Sequence, residues 1–169
     1  MSRRAAILGL GRRGEAWASL CLDAGWEVCA FDPSPSAASA FGRLRGARRA
    51  ETISTAVHGA DWVVCSVPDR LELVQMVLKR AQAEMPETGV VAVASPLHDI
   101  EALQSCAVRP GQVVRLAEPE AGGVAFEVTE RNIPGFRALA ATLAAELAAV
   151  RSLSTGFGPD VQDTDAESA

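Results

Sequence analysis

The chain is poor in what several classes of protein depend on. Aromatic residues make up only 5% of its 169 positions and no basic stripe runs beside them, which excludes base stacking along a cationic groove and leaves nucleic acid without support as a partner. Its four cysteines, Cys21, Cys29, Cys65 and Cys106, form no C-x-x-C pair and have no histidine at metal-ligand spacing. Three of them lie in apolar runs, where a thiol is a small buried hydrophobe, so all are expected reduced and no metal is expected. No apolar run approaches the length of a bilayer span. "MSRRAAILGLG" has glycines and a following amphipathic helix where a signal peptide needs a cleavage site, so a cytoplasmic protein without a membrane partner is expected. Interior linkers rich in Pro or Ser, and internal repeats, are lacking too.

What is present is an ordinary globular composition, 49% hydrophobic and 22% charged, in a chain long enough to bury a core without disulfide or metal staples. One domain is expected over residues 1–153. Residues 154–169 read as an acidic, disordered tail whose Asp160, Asp163, Asp165 and Glu167 account for four of the five net negative charges. The folded part is therefore close to neutral and has no general pull toward polyanions.

Strand and helix patterns alternate along the chain. Strands are predicted at Ala5–Leu10, "WEVCAFD", "ARRAET", "DWVVCSV", "GVVAVAS", "GQVVRLA" and "GVAFEVT", with a last short one in "VRSLS". Helices are predicted at Gly11–Ala24, from Pro35 to about Phe41, at Ser54–His58, at Arg70–Met85 with Asp69 as cap, at Asp99–Ala107 and at Ile133–Ala149. The uninterrupted apolar character of "WVVCSV" and "VVAVA" is that of parallel strands covered on both faces. The pattern predicts an α/β fold: a single Rossmann-like, doubly wound, mostly parallel sheet.

Gly9, Gly11 and Gly14 form G-x-G-x-x-G where the first strand meets the first helix. The first glycine suits a tight turn, the second a close approach of backbone to a pyrophosphate, and the third close packing of helix on strand. The helix N-terminus then offers amide donors and a positive dipole end to the phosphates. Asp32 follows the second strand, where a carboxylate accepts hydrogen bonds from the adenosine ribose hydroxyls and repels a 2′-phosphate, so NAD is expected rather than NADP. The same residues also allow a plain glycine turn with an acid capping "PSPS". Arg13 stands where an apolar residue usually packs under the helix; it either snorkels or displaces the loop. Arg12 is a candidate for the pyrophosphate or a solvated side chain.

The stretches "ILGLGRRGEAWASLCLDAGWEVCAFDPSP", "GADWVVCSVPDRLEL", "RPGQVVRLAEPE" and "FEVTE" together resemble the NAD-binding domain of the 3-hydroxyacyl-CoA dehydrogenases, including the related carnitine dehydrogenases. The order and spacing of the four carry the resemblance. It implies an acid near the nicotinamide ribose at Asp69, just after Pro68, and a substrate-contacting serine at Ser95 on a shortened loop. It also implies a lysine where this chain has Val74, a catalytic histidine where it has Glu118, and an acid orienting that histidine at Glu127. Burial or the like charge of Glu127 would make Glu118 the better base; two exposed loop carboxylates are the alternative. Family members continue into a helical domain that walls the substrate cleft and forms the dimer interface, and this chain ends where that domain would begin. A second subunit is therefore expected to complete the cleft.

His98, in "VASPLHD", follows a strand end on the cofactor side and is the one histidine placed to substitute for the missing base, with a plain loop residue as the alternative; His58 reads as the surface end of a helix. Arg43, Arg45, Arg48 and Arg49 read as a solvated face before they read as an anion site. Trp17, Trp26 and Trp62 lie on separate elements and belong to the core. In the helix over 134–149, Leu139, Leu143 and Leu147 recur at spacing four and form the candidate interface for a homo-oligomer or second subunit. Three functions follow: a dehydrogenase component acting on a hydroxyacyl or similar small substrate, a non-catalytic dinucleotide-binding or regulatory protein, or a domain of the prephenate, 6-phosphogluconate or imine-reducing type.

Overall fold

The computed structural model of the protein describes residues 2–117 and 124–155, with side chains through residue 150. Seven strands form one sheet: β1 (Arg4–Leu8), β2 (Glu27–Phe31), β3 (Arg48–Arg49), β4 (Trp62–Cys65), β5 (Val90–Val93), β6 (Val113–Leu116) and β7 (Phe126–Glu127). Their spatial order is β3-β2-β1-β4-β5-β6-β7. All neighbours pair in parallel except β7, which returns antiparallel to β6. The predicted Rossmann-like fold is thus the observed one. Its strand order reverses between β1 and β4, which opens a crevice at their carboxyl ends.

Because successive side chains of a strand point to opposite faces, the apolar strands feed two cores. Ala5, Ile7, Val64 and Ala92 pack under α1 (Arg12–Asp23), α2 (Ala37–Arg43) and α6 (Pro134–Thr155). Ala6, Leu8, Val63, Cys65, Val91 and Val93 pack under α3 (Ile53–Val57), α4 (Leu71–Glu84) and α5 (Ile100–Ser105). All three tryptophans are buried. The cysteines are free thiols, and burial pushes those of Cys21 and Cys65 up to about 12.

Two expectations change. The strand expected in "VRSLS" is the last turn and a half of α6, whose sequence after Gly135 holds no Gly or Pro before residue 156. The leucine ridge of that helix is no free interface either: Leu143 and Leu147 are fully buried in the chain's own core and Leu139 is partly buried against it. The exposed side of α6 carries Ala138, Ala141, Thr142 and Ala145. Spacing of four defines a helical face but not what covers it. The tail expected over 154–169 lies, from residue 156 on, outside the described residues.

If α6 is packed in this way, Leu143→Ala will cost about 2–5 kcal/mol in a urea titration. Ala145→Lys, on the solvent side, will change stability by less than about 0.5 kcal/mol.

Candidate functional site

The carboxyl end of β1 is shaped by glycine. Gly9 takes φ +96°, and its amide donates to the Phe31 carbonyl (2.8 Å). A Cβ on Gly9 would overlap the Ser66 carbonyl, and one on Gly14 would overlap the Gly9 carbonyl, so the fold itself requires both. Gly11 is different. Its φ of −70° suits any residue, and a Cβ there would meet nothing within 4 Å. Gly11 is the N-cap of α1, no side chain caps that helix, and the first helical bond runs from Glu15 N–H to the Gly11 carbonyl (2.9 Å). Open space in front of an uncapped helix N-terminus is what a pyrophosphate needs.

This end of α1 opens onto a groove of about 900 Å³ lined by Gly9, Gly11, Arg12, Asp32, Pro68 and Asp69, among others. Asp32 does more than the sequence suggested: one carboxylate oxygen accepts from Leu10 N–H (2.7 Å) and the other from Ser34 N–H (2.8 Å). It therefore pins the glycine loop and caps its own turn, while each oxygen keeps a lone pair for a ligand. Arg12 and Arg13 are exposed on the groove wall. The arginines after β2 form no common site: Arg43 pairs with Glu15 on α1, holding that carboxyl below its ordinary value through its hydrogen bond, and Arg49 lies over the Phe41 ring at 5.1 Å. His58 is exposed at the end of α3, as expected.

A second set of polar side chains meets where β4 and β5 end. Ser95 Oγ donates to Asp69 Oδ1 (2.6 Å), His98 Nδ1 lies 2.9 Å from the same oxygen and 3.2 Å from Ser95 Oγ, and Leu97 N–H donates to Asp69 Oδ2 (2.8 Å). Asp69 is therefore not the cap of α4; that position is Arg70, and the Asp69 carboxylate turns instead toward the loop after β5. Burial pushes the Asp69 carboxyl up, but the bonds from Ser95, Leu97 and His98 outweigh it and hold the group below its ordinary value. Val74, where the resemblance implies a lysine, is buried on the core face of α4.

Arg115 was not singled out from sequence, where it reads as one residue of an apolar strand. Its Nε donates to the Ser95 carbonyl (2.8 Å), Nη2 reaches the Pro96 carbonyl (3.4 Å), and Nη1 pairs with Glu127 Oε2 (2.8 Å). Glu127 is thus paired with a permanent cation directly opposite it in the β6–β7 ladder. Glu118 lies outside the described residues. Among the described residues no group of His, Cys, Asp and Glu could hold a metal ion, and no helix is long and apolar enough to cross a membrane.

A family model described as the NAD binding domain of 6-phosphogluconate dehydrogenase matches residues 4–107. The L-carnitine dehydrogenase/betainyl-CoA thioesterase of Ruegeria pomeroyi is 33% identical over 129 residues, covering 65% of this chain and 26% of that protein. The L-carnitine dehydrogenase of Streptomyces griseus is 31% identical over 131 residues, covering 66% and 39%. The chain thus spans two fifths or less of the length of these relatives. The (S)-3-hydroxybutyryl-CoA dehydrogenase of Ralstonia eutropha superposes with a TM-score of 0.76 at 18% identity, over 88% of this chain and 62% of that one, a likeness of fold.

The three glycines will separate by experiment. Gly11→Ala will keep stability within about 1 kcal/mol in a denaturant titration but weaken NADH at least about tenfold by calorimetry. Gly14→Ala will lose about 3 kcal/mol or more, because backbone must move. Asp69 predicts an acid limb. With its folded value lowered, the stability it contributes is complete above the ordinary carboxyl value of 3.8 and is lost as the pH falls through the lower folded value. Asp69→Asn will lower the urea midpoint at neutral pH and flatten its decline between about pH 5 and 2.

Proposed function

We propose that this chain, which belongs to the family of the NAD-binding domain of 6-phosphogluconate dehydrogenase, is the cofactor half of a dehydrogenase acting on a hydroxyacyl or similar small hydroxy substrate in a cleft that a second subunit completes. The observation that carries the reading is the space at Gly11: neighbouring glycines are demanded by packing, whereas this one faces no protein atom and lies at the helix end where a pyrophosphate binds. The loop from Gly9 to Gly14 holds the pyrophosphate with Arg12 beside it, Asp32 takes the adenosine ribose hydroxyls, and Pro68 and Asp69 flank the nicotinamide side. When bound, the nicotinamide supplies a two-electron acceptor or donor of hydride. The curated relatives named L-carnitine dehydrogenase make L-carnitine the first hydroxy substrate to offer. Reduced thiols and the absence of any long apolar helix among the described residues fit a cytoplasmic setting.

A non-catalytic, dinucleotide-sensing role is the second reading. It is favoured by the apolar Val74, which stands where the family resemblance assigns a lysine, and by the pairing of Glu127 with Arg115. Turnover of any hydroxy substrate excludes it.

Calorimetric titration with NADH and NADPH tests the first reading. The expected result is micromolar NADH binding and clearly weaker NADPH. Asp32→Asn, which leaves an acceptor for the loop amide but removes the charge, narrows that preference at least about tenfold. No binding of either nucleotide overturns the reading.

A further inference from the structure

We infer that His98, held by Asp69 and Ser95, is the acid–base residue of the hydride transfer, an inference that rests on the dehydrogenase reading above. Its three side chains come from the loops after two adjacent parallel strands, β4 and β5, at the carboxyl edge of the sheet where the groove lies. Asp69 itself lines the groove.

Counting hydrogens fixes the state of the ring. The Asp69 carboxylate only accepts. Ser95 has one hydroxyl hydrogen, which goes to Asp69 Oδ1 at 2.6 Å, so toward His98 the serine oxygen only accepts, as it does from the His98 backbone N–H (3.2 Å). His98 Nδ1 therefore carries a hydrogen, directed at Asp69 Oδ1 and Ser95 Oγ. In the neutral ring the lone pair is then on Nε2, which has no hydrogen-bond partner among the described residues. The side chain is 22% exposed, open enough to meet a ligand yet fixed on its other edge. A carboxylate on Nδ1 selects this tautomer and stabilises the imidazolium that forms when Nε2 takes a proton.

The charged groups around the ring support the assignment. Asp69 is in direct contact from the loop after β4. From β6, Arg115 holds the Ser95 and Pro96 carbonyls and so fixes the loop that carries His98, while its charge is balanced by Glu127 on β7. Asp99, next in sequence, is turned away to cap α5 through the Ala102 amide (2.8 Å).

In the oxidative direction the carbinol C–H bond breaks with its electron pair, which leaves as hydride to the oxidised nicotinamide nucleotide. The hydroxyl O–H bond breaks with its proton passing to His98 Nε2, and the carbonyl C=O forms. The imidazolium returns the proton to water after the ketone departs. Asp69 and Ser95 are positioning residues in this scheme.

The experiment uses the full chain and has three readouts: ring nitrogen NMR of the histidines across pH, NADH affinity, and NAD-dependent oxidation of L-carnitine, short 3-hydroxy acids and their thioesters. Expected are a neutral His98 protonated on Nδ1 and NAD-dependent turnover of a hydroxy substrate. His98→Gln should bind NADH within about threefold of the unmodified chain but turn over about 100-fold more slowly or worse. A neutral ring protonated on Nε2 overturns the inference, as do equal rates in His98→Gln. In both cases the cofactor reading survives. Failure of the unmodified chain to bind NADH removes that reading and the inference together.

Discussion

The Gly9 carbonyl occupies the place a Cβ on Gly14 would take, so α1 can approach β1 this closely only because Gly14 carries no side chain. The same closeness aims the start of α1 across the carboxyl edge of the sheet. From it follow the turn at Gly9, the amide of Leu10 presented to Asp32, and the groove wall made by Arg12 and Arg13. A ligand bound there would meet a backbone already organised by packing, so little ordering entropy is lost when it arrives.

Fixed acids and fixed cations divide that edge. Asp32 and Asp69 both direct their carboxylates at backbone amides of the loops they stabilise, one under the glycine turn and the other under the loop after β5. Each therefore joins two strand ends and at the same time sets the local charge. A carboxylate doing both is hard to replace: a neutral amide retains part of the bonding and loses the field, while alanine loses both. The arginines behave differently. Arg43 and Arg115 are each tied to a glutamate, whereas Arg12, Arg13 and Arg80 line the groove.

The glycine loop, Asp32 and the parallel sheet were legible because their signals are local: spacing within one β-α-β unit and uninterrupted apolar runs. Asp69, Ser95 and His98 were each visible as residues near strand ends, but their meeting was not, since it joins positions 26 and 29 apart that only the pairing of β4 with β5 brings together. Arg115 gave no signal, because its work is done by reaching past its own strand to carbonyls of the next loop. The direction of α6 was misread for a related reason. A row of leucines states that something covers them, and here that cover is α1 and the sheet.

Arg115 and Glu127 face each other across the antiparallel pair at the sheet margin, and the same guanidinium grips the loop bearing Ser95. The outermost strand is only two residues long, so its own ladder holds it weakly. The ion pair therefore adds a side-chain hold to that strand, and one rigid planar group ties the margin of the sheet to the backbone carbonyls of Ser95 and Pro96 in the loop that bears His98.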